Sequence, residues 1–207
     1  MYLFDLDGTL VDSNGIWVGV DRTFLARRGM PYTKEYYEGV AHTILPKAAV
    51  FTKEFCHLEE SCEDIIAEWM ALAKGSYAHA ALKPFARELL DKLRAEGERM
   101  AVFTSAVPAH CEAALAAHGI AGYFEGVVFA HNLGVDKSEP DAFRVACAQL
   151  GVLPALCTFL DDSPRSCRAA KDAGLHVIGV YDPYFESSQA DMPAACHRFI
   201  RGFDELL

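Results

Sequence analysis

Short, continuous apolar runs separated by helical stretches constrain this chain more than any other feature of its sequence. The runs are "YLF" at 2–4, "MAVF" at 100–103, "GVVFA" at 126–130, "CTFL" at 157–160 and "HVIGVY" at 176–181. A strand with one face in water alternates apolar and polar residues, so runs that are apolar throughout call for a sheet covered on both faces. Helical periodicity fills the intervals. In "PFARELLDKLRAE" (84–96), Phe85, Leu89, Leu90 and Leu93 share one side and Gly97 closes the end. Residues 108–118, 139–150 and 164–173 behave alike and are followed by Gly119, Gly151 and Gly174, as helix C-caps require. Strands alternating with helices at this spacing imply βαβ units, so the expected fold class is α/β with a parallel sheet.

One segment breaks that rhythm. Between Asn14 and about Ala80 only helical periodicity is present: Ile16, Val20 and Phe24 at i, i+4 and i+8, and a stripe of Ile65, Ile66, Trp69, Met70 and Ala73. At 207 residues the chain has room for one domain with an insertion. The expected organisation is a core of residues 1–13 and 81–207 interrupted by a helical cap of residues 14–80. Such an insertion would stand over the C-terminal edge of the sheet, where α/β proteins place ligands, and act as a lid. A helical layer against the side of the sheet is the alternative.

The strand ends carry the chemistry. Asp5 and Asp7 follow the first run, Thr104 and Ser105 the second, and Asp161, Asp162 and Ser163 the fourth, while Lys137 lies in the loop "NLGVDKSEPDAF". Each has a mundane reading: a DxD turn, N-caps at Ser105 and Ser163 ahead of Pro108 and Pro164, a solvated lysine. Order and position favour a shared site, because the C-terminal ends of parallel strands open onto one edge. Asp5, Asp7 and Asp162 in one pocket need a cation, and an oxygen-only set without histidine suits Mg²⁺. Mg²⁺ takes phosphate oxygens as ligands, which makes a phosphate ester the natural substrate. Lys137 offsets its charge, and the Thr104 hydroxyl with amides at a helix N-terminus can grip its oxygens. Asp5 is then placed to attack phosphorus, and Asp7 to protonate the leaving oxygen and later deprotonate a water.

"DLDGTLVDS", the Thr104 strand end, "KSEPDAF" and "LDDSPRSCRAAKDAGL" together resemble, in order, the four motifs of the haloacid dehalogenase superfamily. The resemblance spans nearly the whole chain and implies a Rossmann-like core with an inserted helical cap. It implies Asp5 as nucleophile, Asp7 as general acid/base with its backbone carbonyl reaching the metal, and Thr104 as phosphate binder. Lys137 would stabilise charge and Asp162 would be a Mg²⁺ ligand, with Asp161 one layer further out. Two departures stand out: Ser138 follows Lys137 where the family usually has proline, and Asp161 stands where Glu or Gly is commoner. Within the superfamily, Asp7 separates this chain from the haloacid dehalogenases, which lack the second aspartate. Phosphonatases use a cap lysine, for which Lys34, Lys47, Lys53 and Lys74 are available, but the DLDGT form fits ordinary phosphatases better. β-Phosphoglucomutase is similar in "TSA" (104–106) but has a histidine near the start of the first cap helix, where this chain has Trp17 in "SNGIWVGVDR".

The expectation is therefore a phosphatase: Mg²⁺-dependent hydrolysis of a small phosphate monoester through an aspartyl phosphate. A mutase is the alternative, and a phospho-acceptor signalling domain or a non-catalytic binding module is more distant. A net charge of −10 argues against nucleic acid as a partner. No run approaches the ~18 apolar residues of a membrane span, and no basic region precedes the first apolar residues as in a signal peptide. Seven scattered cysteines without a CxxC pair point to reduced thiols and a cytoplasmic protein. Trp17, Arg22, Arg27, Arg28, His42 and Lys47 are the cap residues that could read the leaving group, a small sugar or a phosphoglycolate-type ester. Arg27 and Arg28 equally fit a helix C-terminus.

Overall fold

A computed structural model of the chain describes residues 1–41, 44–185 and 189–207. The sheet has six parallel strands, β1 (Tyr2–Phe4), β2 (Met100–Thr104), β3 (Val127–Phe129), β4 (Thr158–Asp161), β5 (His176–Val180) and β6 (Arg198–Ile200). Their spatial order is β3-β2-β1-β4-β5-β6. Five strands coincide with the apolar runs. The sixth was not legible, because it is a three-residue edge strand whose Arg198 is exposed, and only its pairing with β5 defines it.

Adjacent residues on each strand serve opposite faces of the sheet. Phe4, Val102, Leu160 and Ile178 pack with Leu89, Leu90 and Leu93 of α5 (Ala86–Ala95) and with Ala114 and Leu115 of α6 (Pro108–Ala117). Leu3, Phe103, Phe159 and Val177 pack on the other side. They meet Phe143 of α7 (Pro140–Gln149), Cys167 and Ala170 of α8 (Pro164–Asp172) and Met192 of the short α9 (Met192–Ala195). Burial on both faces accounts for the continuous apolar runs, and the architecture is a three-layer, Rossmann-like α/β fold.

Between β1 and α5 every α-helix or strand among the described residues is a helix: α1 (Asn14–Arg27), α2 (Lys34–Val40), α3 (Leu45–Phe55) and α4 (Cys62–Ala73). They gather a third cluster of their own around Phe24, Tyr36, Ile65 and Trp69. Thr33 and Ser61 cap α2 and α4 with their side chains, each satisfying an amide that the first helical turn leaves free.

The chain order decides where the candidate site residues gather. After β1 the chain runs to β2 and β3 on one side, then crosses to β4 on the other, so β1 sits at the reversal point where parallel sheets open a crevice. Register sets the partners: Phe4 lies beside Val102 and Leu160, and the Asp5 amide donates to the Leu160 carbonyl at 2.9 Å. Asp5 and Asp161 are therefore neighbours at two adjacent strand ends.

Candidate active site

Lys137 ties the strand ends together. Its loop, which leads from β3 into α7, delivers a buried ammonium whose Nζ donates to Asp5 Oδ1 at 2.6 Å, Asp161 Oδ2 at 2.7 Å and the Phe103 carbonyl at 3.1 Å. An ammonium has three N–H donors, and here they reach β1, β2 and β4. Burial works against this charge, but Asp161 and Asp5 outweigh it and raise the Lys137 pKa, so it stays protonated. Ser138 donates its amide to Asp136 Oδ1 at 3.0 Å, closing a local turn that a proline there could not make.

The carboxylates of Asp5, Asp161 and Asp162 converge, with one oxygen from each lying within 4.8 Å of the others. All three are buried. Burial, assisted by Asp161 and Asp7, pushes the Asp5 carboxyl up to about 8 against the pull of Lys137. Burial raises Asp162 well above the usual carboxylate range, with Asp161 and Asp5 adding to it. Asp162 is held by Asn14 Nδ2 at 2.8 Å and by Thr9 Oγ1 at 3.5 Å, and Asp161 Oδ1 accepts the Ser163 amide at 2.7 Å. Three carboxylates face one ammonium, and all the donor atoms are oxygen. This set fits a hard divalent cation such as Mg²⁺.

Asp7 also lines the cavity, but its carboxylate stands outside that cluster. Its Oδ1 accepts from Ser13 Oγ at 2.5 Å and from the Tyr77 hydroxyl at 2.7 Å, and Trp17 Nε1 donates to that same hydroxyl at 2.6 Å. Burial raises the Asp7 pKa, while the bonds from Ser13 and Tyr77 pull it down. Of the anticipated side-chain set Asp5, Asp7 and Asp162, the carboxylate cluster thus includes Asp161 in place of Asp7. The reason is local. The loop after β1 folds back through Leu10 and Val11, whose amides both bond to the Leu6 carbonyl, and this brings Ser13 onto Asp7.

The Thr104 side chain is fully buried and accepts the Ala106 amide at 3.0 Å, which shapes the turn after β2. Ser105 is the member of that pair that lines the cavity. The cavity, about 150 Å³, lies between the strand ends and α1–α4, with Trp17, Tyr37 and Trp69 on its helical side. α6 and α8 both begin beside it, which turns the positive ends of their dipoles toward it, an arrangement that favours an anion.

Several cap candidates are engaged elsewhere. Arg27 and Arg28 bond to Glu68, and Arg28 also to Glu60, so they fasten α1 to α4. Arg22 is exposed and stands over the Tyr32 ring. Lys47 reaches Asp136, next to Lys137, at 3.2 Å. Trp17 does line the cavity, and His42 lies outside the described residues. Sequence reasoning missed Ser13, Asn14 and Tyr77. The first two stand directly after "DLDGTLVD", but Tyr77 is distant in sequence and carries no local signal.

A family model described as haloacid dehalogenase-like hydrolase matches residues 2–180. Over 188 residues the chain is 34% identical to hexitol phosphatase A of Escherichia coli (strain K12), across 88% of this chain and 83% of that protein. It is 26% identical over 186 residues to a phosphoglycolate phosphatase of Pseudomonas putida, spanning 87% of this chain and 68% of the relative. Among solved structures, CbbY from Rhodobacter sphaeroides in complex with phosphate matches with a TM-score of 0.83 and 26% identity, covering 99% of this chain and 95% of that one. No described helix is long and apolar enough to cross a membrane.

Proposed function

Because the chain belongs to the haloacid dehalogenase-like hydrolases, we propose that it hydrolyses a small phosphate monoester through an aspartyl phosphate formed on Asp5. The observation that carries this reading is the buried Lys137 held between Asp5 and Asp161 at the mouth of a small cavity. Asp5, Asp161 and Asp162 would hold Mg²⁺, which supplies positive charge to the phosphate oxygens as negative charge shifts toward the leaving group.

Asp5 attacks phosphorus, and the bond to the leaving oxygen breaks as Asp7 gives that oxygen a proton. Burial raises the Asp7 pKa, the direction a proton donor needs, and its bonds to Ser13 and Tyr77 fix its orientation. Asp7 then takes a proton from the water that cleaves the aspartyl phosphate, which frees inorganic phosphate, restores the Asp5 carboxylate and returns Asp7 to its protonated form. Lys137 holds Asp5 throughout and offsets the phosphoryl charge, while Ser105 and the positive end of the α6 dipole bind the phosphate oxygens. Helices α1–α4 act as the lid that keeps bulk water from the intermediate.

In the region where the similar mutase has a histidine this chain has Trp17, whose N–H is committed to Tyr77. That favours a hydrolase over phosphoryl transfer between sugar phosphates. Phosphate release from a panel of sugar phosphates, polyol phosphates and phosphoglycolate, with and without Mg²⁺, tests the reading. Mg²⁺-dependent release that disappears in Asp5→Asn is expected. Conversion of one sugar phosphate into another without release would give the site to a mutase.

A further inference from the structure

The mechanism leaves one buried carboxylate in the cavity wall without a task. Asp21 is only 8% exposed, sits on α1 and lines the cavity. Its Oδ1 accepts from the Tyr36 hydroxyl at 3.4 Å, and that hydroxyl lies 3.0 Å from Thr52 Oγ1. With Thr52 donating to Tyr36 and Tyr36 to Asp21, one carboxylate oxygen is fixed. The other has no hydrogen-bond partner among the described residues. Burial pushes this carboxyl up to about 7. A structural role alone would be met more cheaply by an amide or an apolar side chain, since a buried charge without a cation beside it is costly.

Three features describe what this oxygen faces. Asn14, Trp17, Val18 and Asp21 share one face of α1 at i, i+3, i+4 and i+7, and all line the cavity. Asn14 bonds to Asp162, so Asp21 stands about 10 Å further along the helix from the phosphate end. Lys137 is the only cation among the described residues of the wall, and it is already shared by Asp5 and Asp161. Trp69, which also lines the cavity, has a buried indole N–H that no described group accepts.

We propose that Asp21 sets substrate choice, accepting hydrogen bonds from the hydroxyls of a neutral leaving group several carbons long, a polyol or sugar phosphate, and repelling anionic ones. The inference rests on the phosphatase reading above and narrows it. A carboxylate-bearing ester such as phosphoglycolate would meet Asp21 with no cation beyond Lys137 among the described wall residues to offset it. It is also too short to span the distance from the phosphate to Asp21.

The test compares glucitol 6-phosphate with 2-phosphoglycolate as substrates of the 207-residue chain with Mg²⁺, in wild type, Asp21→Asn and Asp21→Leu. Wild type is expected to favour the hexitol ester in kcat/KM. Both variants should lower that preference about tenfold or more, mainly through KM, the size expected for a hydrogen bond to a charged group. Melting temperatures at or above that of wild type identify the loss as one of recognition, not of folding. A preference unchanged within twofold in both variants, or a wild type that favours phosphoglycolate, overturns the proposal. Titration calorimetry of both esters against the same three proteins separates the two readings. If nothing is hydrolysed but the wild type binds the hexitol ester more tightly and the variants lose that margin, the phosphatase reading fails and the role of Asp21 stands. If neither ester binds, both fail.

Discussion

Lys137 spends all three ammonium donors on protein acceptors, two of them buried carboxylates. Removing it takes charge compensation from the reaction and also leaves Asp5 and Asp161 buried without their cation. Lys137→Ala is therefore expected to lower kcat at least ~100-fold and to cost about 3 kcal/mol of stability. Steady-state rates and denaturant titrations report the two effects separately, and an unchanged kcat would take Lys137 out of the mechanism. Asp21 behaves in the opposite way. Its folded pKa, about 7, lies above the ordinary value of 3.8, so the folded protein holds that proton more tightly than the unfolded chain. Its contribution to stability is full below about pH 4 and is lost as pH rises through 7. Asp21→Asn should accordingly stabilise the protein, by on the order of 2–4 kcal/mol at pH 8 and by much less at pH 5. A gain that does not grow with pH contradicts the burial argument.

Among the elements, the loop after β1 and the start of α1 carry the tightest constraint. Gly8 has φ +74°, and a methyl group there would come within 2.1 Å of Asn14 Nδ2 and 2.2 Å of Asp162 Oδ2. Gly8→Ala is expected to displace the Asn14–Asp162 bond, cost about 1–2 kcal/mol and weaken Mg²⁺ binding. Calorimetric Mg²⁺ titration of the variant checks this, and an unaltered affinity would separate that bond from metal binding. The strands and sheet-flanking helices were legible because burial on both faces leaves continuous apolar runs and because glycines mark the helix ends. The edge strand Arg198–Ile200 was not, since pairing on one side only asks for no such run. The candidate residues at the strand ends were legible for a related reason: Asp5, Thr104 and the Asp161–Asp162 pair adjoin apolar runs in sequence, so finding the strand finds the residue. Asp21 and Tyr77 adjoin nothing of the kind. Asp21 reads as one acidic residue on a helix until α1 is seen to run along the cavity.

For the whole molecule, the expected consequence is a link between metal binding and stability. Three buried carboxylates converge on one place with one ammonium between them, so a cation that binds the folded state alone must raise the melting temperature. At a hundredfold excess over its Kd, Mg²⁺ should add about 2.7 kcal/mol, and Asp162→Asn should reduce that gain. A melting temperature indifferent to Mg²⁺ would remove the metal from the site. The sequence by itself determined the layered α/β architecture, the helices among the described residues between β1 and α5, and the choice of Asp5, Lys137 and Asp162 as candidate site residues. Those follow from hydrophobic periodicity and from the position of polar residues relative to it, which are local properties of the chain. Only the tertiary structure decided that the Asp161 carboxylate joins the cluster while Asp7 turns to Ser13 and Tyr77, and that Ser105 rather than Thr104 faces the cavity. It also decided that α1 carries Asp21 to the cavity wall. Those outcomes depend on side-chain direction after the backbone folds back on itself, and spacing along the chain carries no record of that.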